Sequence, residues 1–276
     1  MRFGSFYFIM RYPFIFVSRH AILHELCQDI CEGLVNESFS KQDLVWVFCG
    51  AHMSFSFLRY LPGAHLYIQT EQLTDLSGRT LWGAHKKKIS KNIKKNIKNS
   101  TIFLDININN RSYYSHLELE KQNKKKVVLG PHIFPRKRVP FASSAEGQLI
   151  FFGSLNKRRM RVLNEIQNLT KRIVRVIPEK TYGQSLKSEI KGSSGVINIH
   201  YDEGTYTEAP RILSVYLQGK PFISEDLAPP FVKNVHYIGL NGTNDLNSEE
   251  IFRKFSHLVS TQLSFKSFIS THFRRD

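Results

Sequence analysis

Acidic residues are scarce in this chain. Its 276 residues carry 23 Asp and Glu against 39 Lys and Arg, a formal net charge of +16. A balance this basic favours a polyanionic partner, whether nucleic acid, an anionic membrane face or a phosphorylated substrate, and does not choose among them. Cysteine is scarcer still: Cys27, Cys31 and Cys49. An odd count gives no disulfide framework, and no second Cys/His pair stands at zinc spacing. The three are read as buried thiols in a reducing compartment. No run of about 20 apolar residues exists, so no segment is expected to span a bilayer as a helix. Near the N-terminus, Phe6–Met10 and Pro13–Val17 are apolar but Arg11 splits them. No small-residue cleavage site follows, so the segment is read as a buried first strand rather than a leader. Nor does any repeat stand out at solenoid periods.

What is present suffices for a core. Hydrophobic residues make up 41% and charged residues 22%, which excludes wholesale disorder. Short apolar runs predict strands at Phe3–Ile9, Asp43–Cys49, His65–Gln69, Ser100–Ile106 and Lys126–Leu129. A second series falls at Gln148–Gly153, Arg172–Ile177, Gly195–His200, Lys220–Ser224 and His236–Ile238. Runs such as DLVWVFCG and QLIFFG do not alternate, which suits parallel strands buried on both faces. Helical periodicity falls between them, at His20–Leu34, Asn156–Leu169, Glu208–Gln218 and Ser248–Val259, and the tail Gln262–Asp276 reads as a closing helix. Strand and helix alternate, so the fold class is α/β. The segment Gly130–Gln148, with Pro131, Pro135, Pro140 and the polar run Ala142–Gly147, divides the chain into residues 1–140 and 141–276.

Lys86–Asn99 reads KKKISKNIKKNIKN, with Ile89, Ile93 and Ile97 every fourth residue. This is a thin apolar stripe on a basic helix. It is expected to dock by its isoleucines. Contact with anionic lipid or a lipid-phosphate acceptor is the functional alternative.

Two segments carry candidate chemistry. In QLIFFGSLNKRRMR a strand ends at Gly153, and Ser154 and Asn156 lead into a helix bearing Arg158 and Arg159. A glycine turn feeding a helix N-terminus, where free N–H groups and a partial positive charge gather, suits a phosphate. In GVINIHYDEGTYTEAPRILSVYLQGKPFISE a buried strand ends in Asn198 and His200. Thr207 is the expected N-cap, Glu208 lies in the first turn and Arg211 follows. A carboxylate beyond the carboxyl ends of parallel strands can accept hydrogen bonds from sugar hydroxyls. His200, ending its strand beside Glu208, is a candidate catalytic base, with His20, His24 and His52 weaker ones. No His/Cys/Asp cluster has metal spacing.

Taken in order, FFGSLNKRR, LKSEIKGSSGVINIHY and TEAPRILSVYLQGKPFISE resemble the nucleotide-binding domain of GT-B glycosyltransferases, especially bacterial ones that build surface polysaccharides. The match covers roughly residues 148–260, with Gly153, Leu155 and Arg159 on the turn pattern. The resemblance implies two Rossmann-like domains facing across a cleft: residues 1–140 for the acceptor and 141–276 for the nucleotide-sugar. It implies that Glu208 touches the donor sugar or ribose and that Arg159 or Arg158 meets the diphosphate. Gly153, Ser154, Asn156, Asn198 and Arg211 complete the implied donor site. HLYIQTEQL resembles a segment ending at the cleft, which makes Glu71 a candidate catalytic residue. Transfer without metal or other cofactor, to a glycan or lipid-linked glycan, is the implied activity, in the cytoplasm or at the inner membrane face. One departure stands out. Many retaining members carry a second glutamate with seven residues between the two, and that position here is Tyr216.

Two rivals remain at this stage. The charge and the lysine run allow a nucleic-acid-binding α/β protein, although no recognised motif appears and the aromatics fall inside strands. The missing second glutamate allows a non-catalytic protein on the same fold.

Overall fold

The computed structural model describes residues 2–35, 44–55, 58, 60–74, 85–142, 148–170, 173–240 and 247–273. The chain forms two units, Met1–Arg136 with Leu263–Asp276, and Lys137–Gln262. This differs from the expected division at 140/141. The chain passes into the second unit at Lys137, and the C-terminal segment belongs to the first unit, not the second. Of the expected boundary, residues 143–147 lie outside the described residues, as do Asp43 and Arg172 of the expected strands.

The first unit holds a seven-stranded sheet in sequence order: β1 (Arg2–Phe3), β2 (Phe6–Arg11), β3 (Phe14–Ser18), β4 (Val45–Cys49), β5 (Ala64–Gln69), β6 (Ile102–Asp105) and β7 (Val127–Leu129). The strands from β3 to β7 are parallel, whereas β1, β2 and β3 pair antiparallel. The N-terminus is therefore a hairpin rather than one buried strand. Arg11 and Pro13 flank the reversal, and Met10 at the edge is 75% exposed. The inner strands meet the expectation for their class, with Val45, Val47, Phe48 and Cys49 of β4 all buried.

Helix α1 (Ala21–Gly33) packs on β2, β3 and β4. His20 caps it, its Nδ1 accepting from Ile22 N at 3.3 Å, and Cys27 and Cys49 are buried. Burial, with the nearby Cys49, pushes the Cys31 thiol up to about 12, so it has no thiolate character. Helix α2 (Lys86–Asn99) lies on β5 and β6. Ile89, Ile93 and Ile97 are buried among Phe48, Tyr67 and Phe103. Asn96 fixes the helix by donating to Ala51 O at 2.7 Å and Met53 O at 2.8 Å.

After β6 come α3 (Arg111–His116) and α4 (Lys121–Lys124). Asp105, which ends β6, is fully buried and accepts from Asn107 N at 2.8 Å, Asn110 Nδ2 at 2.8 Å and Tyr114 OH at 2.6 Å. Burial raises its carboxyl to about 7 against the pull of those donors. It ties the end of β6 to Asn107, Asn110 and Tyr114.

The second unit holds five parallel strands: β8 (Leu149–Phe151), β9 (Val174–Val176), β10 (Gly195–Asn198), β11 (Phe222–Ser224) and β12 (Ile238–Gly239). Their order is β12-β11-β10-β8-β9. The chain runs from β8 outward to β9, then crosses back past β8 to β10. The point of reversal lies between β8 and β10, and in open α/β sheets that is where ligands bind, beyond the carboxyl ends. Register brings those ends level, with Ile197 opposite Phe151 and Asn198 opposite Ser224. Four helices connect or cover the strands: α5 (Lys157–Thr170), α6 (Gly183–Gly192), α7 (Ala209–Leu217) and α8 (Ser248–Gln262). Leu163 and Ile166 of α5 and Ile251 of α8 join the strands in the core. Both units are thus α/β and Rossmann-like.

The last helix, α9 (Phe265–His272), is capped by Ser264, whose Oγ accepts from Ser267 N at 3.1 Å. Phe265 is 1% exposed and meets Phe14 edge-on at 5.7 Å and Phe16 at 6.1 Å between ring centroids. Removing a ring from such a site costs about 3–5 kcal/mol. Phe265→Ala should therefore lower the unfolding free energy by that amount in urea titrations. A loss below about 1 kcal/mol would show that α9 does not hold this sheet.

Candidate functional site

Three arginines, two glutamates and a histidine gather at the carboxyl ends of β8, β10 and β11. The turn after β8 begins at Gly153, whose φ of +125° is a glycine conformation. A Cβ there would stand 3.1 Å from Arg211 Nη2 and 3.6 Å from Arg159 Nη1, so the turn leaves room for two guanidinium groups. Asn156 then starts α5, its Oδ1 accepting from Arg159 N at 2.8 Å, and its Nδ2 donates to Tyr201 O at 2.8 Å.

Arg159 is 4% exposed. Its Nη1 donates to Ser154 O at 2.7 Å, and its Nε donates to Ile199 O at 2.9 Å and His200 O at 3.3 Å. The guanidinium also lies 5.6 Å from the Phe151 ring centre and 5.3 Å from that of Tyr201. Burial, and then Arg211, lower it to about 10, with Glu208 pulling the other way, so it is cationic at neutral pH. Arg158 donates to His200 O at 2.9 Å and to both oxygens of Glu225, a close bidentate pair that raises its pKa. Glu225 Oε2 also accepts from His200 N at 2.7 Å.

Glu208 differs from expectation. It is the N-cap of α7 rather than a first-turn residue, and its φ of 50° and ψ of 20° are left-handed. Thr207, the expected cap, is fully buried and its Oγ1 has no partner among the described residues. Glu208 Oε1 lies 3.1 Å from His200 Nδ1 and Oε2 lies 3.4 Å from Arg211 Nη1. Burial pushes this carboxyl up, but Arg211, His200 and Arg159 together outweigh it and hold it at about 2. Arg211 also donates closely to Asn198 Oδ1, and Asn198 Nδ2 donates to Ser224 Oγ at 2.9 Å.

His200 is fully buried. Its Nε2 lies 3.0 Å from Asp226 O and its Nδ1 faces Glu208. Both partners offer oxygen acceptors to the ring. The ring thus faces an oxygen at each nitrogen and stands against Glu208.

The residues expected for the donor site, Gly153, Ser154, Asn156, Arg158, Arg159, Asn198 and Arg211, thus meet at one place with His200 and Glu208. The balance of roles differs. Arg159, one of the two expected diphosphate ligands, is used on backbone carbonyls. Tyr216, where relatives of the resembled family carry a second glutamate, is 1% exposed, and its hydroxyl meets Ser256 Oγ at 2.8 Å and accepts from Val139 N at 3.1 Å. It belongs to the core. Glu225 and Tyr201 were missed in the sequence. Position offered a signal for both, since each directly follows a residue at the end of a strand expected beside the site. Glu71 lies in the first unit, two residues beyond β5, with its carbonyl accepting from Gln69 Nε2 and Asn110 Nδ2, each at 2.9 Å. Of the other histidines, His24 stacks on Tyr7 at 5.0 Å, and burial lowers His52 to about 4.

Among the described residues, no group of three or more His, Cys, Asp or Glu is placed to hold a metal ion, and no helix is long and apolar enough to cross a membrane. Compared with known proteins, the chain matches no family profile and no curated protein.

The depressed Glu208 carboxyl has a measurable consequence. A group whose folded pKa lies below its unfolded value of 4.5 stabilises the fold above that pH, and the gain is lost as pH falls towards 2. The parent should exceed Glu208→Gln in stability by on the order of 3 kcal/mol above pH 5, and the gap should close towards pH 2. Paired urea titrations across that range read it. A gap independent of pH would mean that the carboxylate is not held by its cations.

Proposed function

We propose that this chain is a glycosyltransferase that moves a sugar from a nucleotide-sugar to a glycan or lipid-linked glycan acceptor, with the second unit holding the donor. One observation carries the reading: a cationic, carboxylate-bearing cluster stands at the strand-order reversal between β8 and β10, beside a glycine turn and a helix start. In transfer, the bond from the sugar's anomeric carbon to the diphosphate oxygen breaks as the acceptor hydroxyl oxygen bonds to that carbon. The diphosphate leaves with the electron pair and the acceptor's proton passes to a base. Negative charge grows on the diphosphate, and preorganised cations and helix N–H groups stabilise it where it grows. Arg158 and Arg211 fit this task, because each is held by a carboxylate that a diphosphate can replace.

Glu208 stays ionised throughout the working pH range. Two of its roughly four acceptor positions are used, which leaves capacity for a sugar or ribose hydroxyl. His200, beside Glu208, and Glu71, on the resemblance alone, are the candidate bases. No metal or other cofactor enters this scheme. The resemblance of residues 148–260 to GT-B enzymes supports the same assignment.

A non-catalytic protein on the same fold is the second reading, and the internal partners that each of the three arginines already holds favour it. Thermal shift against UDP, GDP, CMP and dTDP species tests the first step. A ligand at 100 times its dissociation constant should stabilise by about 2.7 kcal/mol. No shift with any of them would overturn the transferase reading. Arg158→Gln should weaken the nucleotide diphosphate that binds by about tenfold or more, since a charge-assisted hydrogen bond contributes roughly 1.5–3 kcal/mol. Unchanged affinity would move the phosphate site elsewhere. Glu208→Gln should lower transfer at least about 100-fold at saturating donor. Nucleotide binding without donor hydrolysis or transfer would select the non-catalytic reading.

A further inference from the structure

The basic charge is unevenly placed. The first unit carries 22 Lys and Arg against 11 Asp and Glu, so +11 of the +16 lies there. Seven of those cations are the lysines of α2, a helix of 14 residues with no acidic residue. At 3.6 residues per turn, Lys87, Lys88, Lys91, Lys95 and Lys98 fall within an arc of about 100°, opposite the isoleucines. All five are exposed, as is Lys86. Lys94, on the flank, pairs with Glu118 at 3.5 Å. Lys126 donates to Lys98 O at 3.1 Å, and exposed Lys121, Lys124 and Lys125 continue the basic surface beside it.

We propose that the outward lysine face of α2 docks the first unit on an anionic phospholipid bilayer. The partner is argued from charge and shape. A straight helix of about 21 Å presents its cations along one line, which a flat anionic surface can meet all at once. The face carries compact ammonium groups only. It has no arginine fork for a bidentate phosphate and no aromatic side chain to stack a base, the groups that nucleic-acid surfaces use. The flanking amides are engaged within the protein, Asn92 Nδ2 donating to His52 O at 3.0 Å and Asn96 to Ala51 O and Met53 O. Ile93 and Ile97 are fully buried and Ile89 is 8% exposed, so the helix has no apolar side chain to insert. Docking is therefore electrostatic and reversible. The inference does not depend on the transferase reading.

Co-sedimentation of the full chain with vesicles tests it, using phosphatidylcholine alone and with phosphatidylglycerol. The parent should bind only the anionic vesicles at low salt. It should release as ionic strength rises to 1 M, where the screening length falls from about 10 Å at 0.1 M to about 3 Å. Replacing Lys87, Lys91, Lys95 and Lys98 by Gln should cut vesicle partitioning at least about 100-fold with the melting temperature unchanged. A control with Lys137, Lys191, Lys233 and Lys254 of the second unit changed to Gln loses the same four charges and should retain most binding. Equal losses in the two variants would assign binding to net charge rather than to α2 and overturn the proposal. So would binding indifferent to salt, or binding to duplex DNA in place of anionic vesicles.

Discussion

The candidate site depends on one buried cation, the guanidinium of Arg159. Taking a charge out of water costs several kcal/mol unless it is fully bonded. Here the cost is met by hydrogen bonds to the carbonyls of Ser154, Ile199 and His200, and by the faces of Phe151 and Tyr201. Each bond to a charged group contributes roughly 1.5–3 kcal/mol, so the set offsets the desolvation. Those carbonyls belong to two segments, the turn after β8 and the end of β10. The strand-order reversal brings these segments together, and Arg159 fastens them. Gly153, Asn156 and His200 are set by this fastening, and Glu208 is set by His200.

Glu208 shows what the fastening supports. A non-glycine residue in the left-handed region costs about 1–3 kcal/mol. It persists because the carboxylate is held from two sides, by the His200 ring and by Arg211. The left-handed turn places Glu208 at the helix cap rather than inside the first turn. There the side chain reaches back to the strand ends and leaves the α7 backbone uncapped by its carboxylate. Strain at this position, paired cations around it and a depressed carboxyl point to one constraint, an acceptor kept ionised and fixed in direction.

Much of this was legible in the sequence, and the exceptions have physical causes. The buried runs VWVFC and LIF named their strands because parallel strands covered on both faces need no polar positions. The isoleucine stripe of α2 named its buried face by its helical spacing. The N-terminal hairpin was missed because two apolar stretches around Arg11-Tyr12-Pro13 fit one interrupted strand as well as two paired ones. Nothing local distinguishes them until the edge strand is exposed. Pairing was the least legible feature. Glu225 lies 67 residues from Arg158, and only the parallel register of β10 with β11 makes them neighbours. Arginine in a phosphate-like turn reads as a free ligand, whereas the fold consumes Arg159 as a structural tie.

The two basic regions divide the work between the two cationic side chains along physical lines. Arginine keeps its charge when buried and offers several donors in a fixed plane, so it can bond carbonyls and carboxylates inside the strand-end cluster. Lysine is a strongly hydrated point charge on a flexible stem, costly to bury and inexpensive to leave in water. Arg158, Arg159 and Arg211 accordingly stand at the strand ends, each with named partners, and the α2 lysines stand outward over an apolar seam. A surface of exposed lysines selects for the density of negative charge rather than its geometry. A site of paired arginines selects for geometry, because an incoming anion must replace the carboxylates already there.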